Sequence, residues 1–188
     1  MGEAKAVFLD RDGTIIHDSG YVHKVEDLKF LENSLNALRK FKVYGYELFL
    51  VFGQSGIGRE YYTVDQYNEF MKKFLEKLRK EGIEFVAVVY CGHTVEDNCN
   101  CRKPKTAMVD ELIKRYKLNP RNCWNIGDKT ADIKMGETVG CKNILVKTGK
   151  GGRDGECEIN PDYIANDLYD AVNYIIEKDK KIILKEVE

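Results

Sequence analysis

Segments of strand length alternate along this chain with segments of helical periodicity, and this alternation restricts the possible fold more than any other feature. The strand segments are almost continuously apolar, as is typical of strands buried on both faces of a parallel sheet. The predicted strands cover 5–10, 46–52, 84–90, 122–127, 142–147 and a short stretch near 162–165. The predicted helices cover 32–44, 63–81, 105–117, 130–138 and 167–178. The pattern predicts an α/β fold in three layers, with helices on both faces of a mostly parallel sheet.

The length and the charge of the chain limit its organisation and its partners. Its 188 residues predict a single domain over 1–188, with no segment long enough for a second, cap domain. The 30 basic and 31 acidic residues give a net charge of −1, which argues against nucleic acid and membrane surfaces and favours a small molecule as partner. No apolar run is long enough to span a bilayer. The N-terminal Met-Gly-Glu-Ala-Lys does not resemble a signal peptide, so we expect a cytoplasmic protein, and a monomer.

The first predicted strand ends in two carboxylates. Its apolar residues lead directly into Asp10-Arg11-Asp12-Gly13-Thr14, and ligands bind at the carboxyl ends of the strands in open α/β sheets. Asp10 is of the residue type that acts as a carboxylate nucleophile and forms an aspartyl-phosphate. Asp12, two residues on, is suited to donate a proton to the leaving oxygen and then to deprotonate the attacking water.

Two later motifs supply the remaining groups for phosphoryl transfer. Asp128 follows another predicted strand, and we expect it to bind Mg²⁺ with Asp10 and the backbone carbonyl of Asp12, because Mg²⁺ takes one or two carboxylates plus phosphate oxygens and waters. Lys103 is expected to screen the nucleophile from the charge of the phosphate. Asp132 is expected to orient metal waters or Lys103. The alternative, in which Asp10 and Asp128 merely cap turns, explains each motif alone but not the ordered set.

A third constellation combines three cysteines and a histidine. Cys91, His93, Cys99 and Cys101 lie within eleven residues, and clustered cysteines in a cytosolic chain indicate a metal site rather than disulfides. A Cys₃His set suits a closed tetrahedral zinc ion, which is structural because no coordination position stays open. Such an ion would fold the 91–101 loop and fix the two cations that follow it.

These motifs resemble those of the haloacid dehalogenase-like (HAD) phosphatases, over roughly residues 5–178. Within one subgroup of that family, the D,D-heptose 1,7-bisphosphate phosphatases are similar at Gly20-Tyr21-Val22-His23, Gln54-Ser55-Gly56-Ile57 and Lys147-Thr148-Gly149-Lys150. The histidinol-phosphatase domains of the same subgroup are at least as similar at Cys99-Asn100-Cys101-Arg102-Lys103-Pro104-Lys105 and Gly127-Asp128-Lys129-Thr130-Ala131-Asp132-Ile133. The resemblance implies a capless Rossmann-like fold, Mg²⁺ and a structural zinc.

The second motif departs from the pattern of this subgroup. Where the subgroup has Thr-Asn-Gln-Ser-Gly-Ile, this chain has Phe52-Gly53-Gln54-Ser55-Gly56-Ile57. The hydroxyl that binds a phosphoryl oxygen in the family is therefore missing, and the ring of Phe52 is expected to intrude on the phosphate pocket. Three interpretations are open. Backbone N–H groups of Gly53 and Gln54 hold the phosphate, the hydroxyl of Ser55 replaces the threonine, or the protein is a catalytically weakened phosphate-binding homologue.

Further residues are expected on the substrate side of the pocket. Arg102 suits bidentate contacts to a second phosphate, and Tyr21 lies in the 17–30 loop, which we expect to form one wall of the pocket. Arg59 is expected to add positive potential near the phosphate, although a solvated loop charge explains it equally well. The resulting hypothesis is a Mg²⁺-dependent phosphomonoesterase acting on a small phosphorylated metabolite. A heptose 1,7-bisphosphate ranks before histidinol phosphate, the substrate of histidine biosynthesis.

Overall fold

Six parallel strands form one sheet at the centre of the protein. The computed structural model describes residues 5–186, with side chains as far as residue 180. The sheet has the order β3-β2-β1-β4-β5-β6, and each neighbouring pair is parallel. The strands are β1 (Lys5–Leu9), β2 (Tyr46–Gly53), β3 (Ala87–Cys91), β4 (Trp124–Gly127), β5 (Lys142–Val146) and β6 (Tyr163–Ala165). The predicted parallel sheet is confirmed.

Helices cover both faces of the sheet. They are α1 (Ser34–Val43), α2 (Ser55–Gly58), α3 (Val64–Lys80), α4 (Ala107–Tyr116), α5 (Thr130–Val139) and α6 (Leu168–Glu186). Alternate residues of β2 belong to separate apolar clusters, because successive side chains of a strand point to opposite faces. Leu48 and Leu50 pack in the cluster that includes residues of α1, α3 and α6. Phe49 and Val51 pack in the cluster that includes residues of α4 and α5, so the three-layer prediction is confirmed.

The strand order changes direction between β1 and β4. In open α/β sheets, ligands bind in the crevice outside the carboxyl ends of the strands at such a switch point. Asp10 follows β1 and Asp128 follows β4, and the N–H of Asp10 donates to the carbonyl of Ile126 at 3.0 Å. The fold therefore brings the two predicted metal-binding carboxylates to the same crevice.

Element boundaries differ from the predictions mainly at the ends. Helix α6 continues to Glu186 rather than ending at residue 178, and β3 begins at Ala87 rather than at residue 84. The short helix α2, directly after β2, was not expected from periodicity because four residues are too few to show one. No helix among residues 5–186 is long and apolar enough to cross a membrane. The N-terminal residues on which the signal-peptide prediction rests lie, apart from Lys5, outside the described residues.

Candidate active site

Three buried carboxylates meet at the switch point. Asp10, Asp128 and Asp132 each offer a carboxylate oxygen, and these oxygens all lie within 4.8 Å of one another. Asp132 reaches the group from the first turn of α5, where its Oδ2 accepts from the N–H of Lys129 at 3.0 Å. Burial, together with the negative charges of Asp10 and Asp132, raises the pKa of Asp128 to about 8. Such crowding of carboxylates is stable at neutral pH only with a proton or a cation between them.

Two of these carboxylate oxygens lack a hydrogen-bond partner. Oδ2 of Asp10 and Oδ1 of Asp128 are buried and unpaired within the described structure. A buried, unpaired carboxylate oxygen is costly, and a divalent cation bound by both would remove that cost. Hard oxygen ligands of this kind suit Mg²⁺, so the residues present fit the predicted ion.

Two glycines allow the backbone to approach Asp128 closely. A Cβ added at Gly13 would lie 2.4 Å from Oδ2 of Asp128, and one added at Gly149 would lie 2.2 Å from the same atom. Both glycines have positive φ, at +83° and +57°, which other residues rarely adopt. The N–H of Lys150 then donates to Oδ2 of Asp128 at 2.6 Å. The loops after β1 and β5 therefore fix Asp128 through backbone contacts that only glycine permits.

Lys103 links the nucleophile to the helix that carries Asp132. Its Nζ lies 2.9 Å from Oδ1 of Asp10 and 2.7 Å from Oδ1 of Asp132, and it donates to the carbonyl of Val51 at 2.6 Å. Burial opposes the charge of Lys103, but the two carboxylates outweigh burial and raise its pKa. The lysine is therefore a fixed cation, and of the two roles expected for Asp132 the geometry supports the orientation of Lys103.

Asp12 is held by neighbours on two sides. The guanidinium of Arg11 donates to both carboxylate oxygens, from Nε at 3.0 Å and from Nη2 at 2.8 Å. Nε2 of Gln54 donates to Oδ2 at 3.1 Å, and the hydroxyl of Tyr62 donates to Oε1 of Gln54. Burial raises the pKa of Asp12, and the charge of Arg11 opposes that rise. A carboxyl with a raised pKa suits a general acid.

A cavity of about 160 Å³ opens over these groups. The lining includes seven residues that the sequence singled out, namely Asp10, Asp12, Gly53, Ser55, Arg102, Lys103 and Asp132. It also includes three residues that the sequence did not single out, namely Lys129, Ala131 and Glu156. Asp128 is fully buried and does not line the cavity. Cations and carboxylates thus face one another across a space of the size of a small phosphorylated group.

The four predicted zinc ligands are brought together. The closest sulfur–sulfur distance, between Cys101 and Cys91, is 3.1 Å, and Sγ of Cys101 lies 3.2 Å from Nδ1 of His93. Sγ of Cys99 lies 3.6 Å from that of Cys91. A tetrahedral zinc ion with bonds of about 2.3 Å to sulfur separates its ligand atoms by roughly 3.5 to 4 Å. The set fits zinc with a slight expansion, and the cysteines are free rather than paired in disulfides.

Comparisons with known proteins decide the family. Residues 100–171 match the model of the HAD-hydrolase-like family. A D-glycero-β-D-manno-heptose-1,7-bisphosphate 7-phosphatase of Haemophilus influenzae is 39% identical over 175 residues, which cover 88% of this chain and 94% of the relative. The chain belongs to the haloacid dehalogenase-like phosphatases. A relative of the same name from Haemophilus ducreyi is also 39% identical, over 93% of this chain and all of its own length (100%).

Solved HAD structures share the fold. The D,D-heptose 1,7-bisphosphate phosphatase of B. bronchiseptica, complexed with magnesium and phosphate, has a TM-score of 0.86 at 25% identity and covers 93% of this chain and 99% of its own. A HAD-like phosphatase of Mesorhizobium loti has a TM-score of 0.71 at 30% identity, covering 78% and 74%. The predicted HAD family membership and Rossmann-like fold are therefore confirmed.

The departure from the HAD pattern at Phe52 has a structural explanation. Phe52 is fully buried in the apolar core and does not line the cavity, so the expected intrusion of its ring on the phosphate pocket is wrong. The ring instead stacks on the guanidinium of Arg11, with its centroid 4.6 Å from Cζ. In an extended strand the side chain of residue 52 points to the same face as Leu50, which packs in the apolar cluster that includes residues of α1, α3 and α6.

Three residues that were predicted to bind the substrate do not line the cavity, namely Gln54, Arg59 and Tyr21. The N–H of Gln54 donates to the carbonyl of Cys91 at 2.7 Å, so the interpretation in which that N–H holds a phosphate does not fit the geometry. Arg59 is exposed, and Tyr21 is 45% exposed and packs edge-on against Tyr61. Contacts of Tyr21 and Arg59 with substrate stay predictions. The 17–30 loop approaches the cavity at Asp18, whose Oδ2 lies 3.8 Å from Nζ of the lining residue Lys129.

Sequence reasoning missed Lys129 and Glu156. Lys129 lies within the Gly-Asp-Lys motif, and its position beside Asp128 was the available signal. Burial opposes its charge, but Asp10 and Asp128 outweigh burial and raise the pKa of Lys129. Glu156 lies in a loop without a motif, so no sequence pattern indicated that it lines the cavity. Its loop reaches the site because the carboxylate of Asp154 accepts from the N–H of Thr130 at 3.0 Å.

Proposed function

We propose that this HAD protein is a Mg²⁺-dependent phosphomonoesterase that forms an aspartyl-phosphate on Asp10. One observation carries the proposal. Oδ1 of Asp10 is fixed by Lys103, while its Oδ2 is buried and unpaired. Asp128, whose Oδ1 is also unpaired, offers a carboxylate oxygen within 4.8 Å of one from Asp10. A carboxylate held in this way is oriented for attack and needs a cation beside it, as a phosphoryl acceptor does.

The cavity is suited to hold a phosphate against this nucleophile. Arg102, Lys103 and Lys129 line it and supply positive charge, while Gly53 and Ser55 line it from the end of β2. Fixed cations reduce the repulsion between the phosphate and the carboxylate of Asp10, and they stabilise charge on the equatorial oxygens during transfer.

The first chemical step transfers the phosphoryl group to the protein. A carboxylate oxygen of Asp10 forms a bond to phosphorus while the bond from phosphorus to the leaving oxygen breaks. Asp12 gives its carboxyl proton to that leaving oxygen, which departs as an alcohol. In the second step the Asp12 carboxylate takes a proton from water, the water oxygen bonds to phosphorus, and the bond to Asp10 breaks to release inorganic phosphate.

The residues that would hold magnesium are the carboxylates of Asp10 and Asp128, with the backbone carbonyl of Asp12 as a further ligand. When bound, Mg²⁺ supplies positive charge that neutralises the phosphate oxygens. Asp128 is suited to that role because Gly13, Gly149 and the N–H of Lys150 fix its orientation.

The proposed substrate is a heptose 1,7-bisphosphate, from which the 7-phosphate is removed. Support comes from relatives that carry this name at 39% identity over most of both chains. Arg102 lines the cavity, and the proposed Cys₃His zinc would hold it there. Its guanidinium is suited to bind the second phosphate. The short spacer between His93 and Cys99, which resembles the histidinol-phosphatase form, makes histidinol phosphate the second candidate.

A substrate panel tests the proposal. Phosphate release is measured with Mg²⁺ on both anomers of D-glycero-D-manno-heptose 1,7-bisphosphate, on histidinol phosphate and on simple sugar monophosphates, for the unaltered protein and for Asp10→Asn. We expect the highest kcat/KM with a heptose bisphosphate and loss of activity in Asp10→Asn. A higher kcat/KM with histidinol phosphate would make it the substrate in place of a heptose bisphosphate. Unchanged activity in Asp10→Asn would refute the mechanism. Binding of phosphate without turnover would instead support the weakened homologue.

A further inference from the structure

The two oxygens of Asp12 are not equivalent. Oδ1 accepts one hydrogen bond, from Nε of Arg11 at 3.0 Å. Oδ2 accepts two, from Nη2 of Arg11 at 2.8 Å and from Nε2 of Gln54 at 3.1 Å. Each carboxylate oxygen has about two lone-pair sites, so the described donors saturate Oδ2 and leave one site open on Oδ1.

Tyr62 determines which end of the Gln54 side chain faces Asp12. The hydroxyl of Tyr62 donates to Oε1 of Gln54, which turns the NH₂ group towards the carboxylate. The opposite orientation of the amide would set its carbonyl oxygen against Oδ2 of Asp12, where two acceptors repel. Gln54 and Tyr62 are 3% and 4% exposed, so water does not compete for these bonds.

The surroundings of Tyr62 hold it in this position. A Cβ added at Gly56 would lie 2.4 Å from Cε1 of the Tyr62 ring, so the ring occupies the space that glycine leaves. On the side of the 17–30 loop, His23 stacks on the same ring, with centroids 4.1 Å apart and planes at 14°. The backbone of Gln54 is fixed by the bond from its N–H to the carbonyl of Cys91.

Arg11 provides an immobile base for the arrangement. Its side chain is fully buried and lies between the rings of Phe52 and Phe70, whose centroids are 4.6 and 4.9 Å from Cζ. Its Nη2 also donates to the carbonyl of Val22 at 3.2 Å. A guanidinium stacked between two aromatic faces keeps a fixed plane, and that plane sets the plane of the Asp12 carboxylate.

We propose that Gln54 and Tyr62 are positioning residues for proton transfer, because Gln54, oriented by Tyr62, occupies Oδ2 of Asp12 and leaves Oδ1 as the oxygen that exchanges a proton with the leaving group and with water. This inference rests on the proposed function and refines it. Tyr62 does not contact the reacting atoms and acts through Gln54. Loss of the Gln54 amide removes a donor from Oδ2, and loss of the Tyr62 hydroxyl lets the amide turn away from Oδ2. In either case the carboxyl proton is held part of the time on the oxygen that does not serve the leaving group.

Leaving-group dependence tests the inference. Tyr62→Phe and Gln54→Met are compared with the unaltered protein on heptose 1,7-bisphosphate, which is an alkyl phosphate, and on 4-nitrophenyl phosphate, whose leaving group departs without a proton near neutral pH. Because general acid catalysis contributes about 10²- to 10⁴-fold, we expect kcat on the alkyl phosphate to fall about 10-fold or more, with KM little changed. On the aryl phosphate we expect a fall of less than about 3-fold. Tyr61→Phe, at an exposed neighbouring tyrosine, is the matched control and should show neither loss.

The ratio of the two losses is taken within one variant, so partial unfolding affects both substrates equally and cancels. Equal losses on the two substrates, or no loss on either, would overturn the inference while the phosphatase function stands. An unaltered protein that releases phosphate from neither substrate in Mg²⁺ would overturn both the function and the inference.

Discussion

The ammonium nitrogen of Lys103 lies 2.9 Å from Oδ1 of Asp10, although 93 positions separate the two residues along the chain. The same nitrogen lies 2.7 Å from Asp132. The side chains of all three are less than a tenth exposed, so water screens their charges weakly. A single lysine therefore fixes the nucleophile against α5.

Replacement of Lys103 by methionine removes the ammonium group and keeps an unbranched side chain of similar length. We expect kcat to fall by about 10²- to 10³-fold, the usual loss for one transition-state donor. We also expect the free energy of unfolding to fall by about 3 kcal/mol or more, because breaking a buried ion pair strands its partners. Kinetics with Mg²⁺ and urea denaturation without it measure the two effects. The control is Lys134→Met, at an exposed lysine paired with Glu137, which should change kcat and the free energy of unfolding little. Normal turnover in Lys103→Met would contradict the catalytic role of Lys103.

The two departures at the end of β2 have opposite structural consequences. Phe52→Thr removes a fully buried ring from the face of Arg11, so we expect a loss of about 3 kcal/mol or more in the free energy of unfolding. A Cβ added at Gly53 meets nothing within 4 Å, and Gly53 lines the cavity. Gly53→Asn should therefore fold normally and place a polar side chain beside the phosphate, raising kcat several-fold.

Both expectations are checked by thermal denaturation and by measuring kcat for the two single variants and the double variant. The two changes together restore the Thr-Asn of the subgroup. If Phe52→Thr is as stable as the unaltered protein, the stacking on Arg11 is not structural. If the double variant and the unaltered protein turn over equally fast, the site is not deficient.

The carboxylate of Asp128 makes the stability of the metal-free protein depend on pH. Its pKa is raised from 3.8 to about 8, first by burial and then by Asp10 and Asp132. A raised carboxyl pKa means that the folded state binds the proton more tightly than the unfolded state, so this contribution to stability is complete below pH 3.8 and is lost as the pH rises towards about 8. Stability in a chelator should therefore decline across that range, and Mg²⁺ should stabilise increasingly at its upper end.

Urea denaturation at several pH values, with chelator and with Mg²⁺, measures the effect. Asp128→Asn cannot ionise and should show a flatter pH profile and little stabilisation by Mg²⁺. An equal stabilisation by Mg²⁺ in Asp128→Asn would show that the ion binds elsewhere.

The cysteine cluster predicts a tightly held zinc ion. After dialysis we expect about one equivalent of zinc per chain, because four protein ligands close the coordination sphere. Cys99→Ser should lose zinc and lower the melting temperature, whereas Cys157→Ser, at a cysteine outside the cluster, should do neither. Elemental analysis and thiol titration of the folded protein check this, and less than half an equivalent of zinc with freely titrating thiols would contradict a zinc site.

Much of this architecture follows from local pattern. Continuous apolar strands predict a parallel sheet, and Asp-x-Asp after one strand and Asp128 after another predict where the ligand site lies. The predicted helix over 63–81 is α3, whose N-cap Thr63 accepts from the N–H of Gln66 at 3.2 Å. These features were predictable because each depends on neighbours in the sequence.

The rest depends on contacts between distant segments. The sequence shows an Arg between two aspartates, but not that Arg11 is fully buried between Phe52 and Phe70. Tyr62 carries no motif of its own, and its role appears only through Gln54. The loop that carries Glu156 is brought to the cavity by a cap on α5, and local periodicity contains no information about such a contact.

Asp10 is proposed to accept the phosphoryl group in a site completed by Mg²⁺. The most direct measurement is rapid acid quenching during turnover of a heptose 1,7-bisphosphate, followed by mass spectrometry of the peptide that contains Asp10. We expect a phosphoryl group on Asp10 that appears only with Mg²⁺ and is absent from Asp10→Asn. Steady turnover without any phosphoryl group on that peptide, together with full activity of Asp10→Asn, would contradict it.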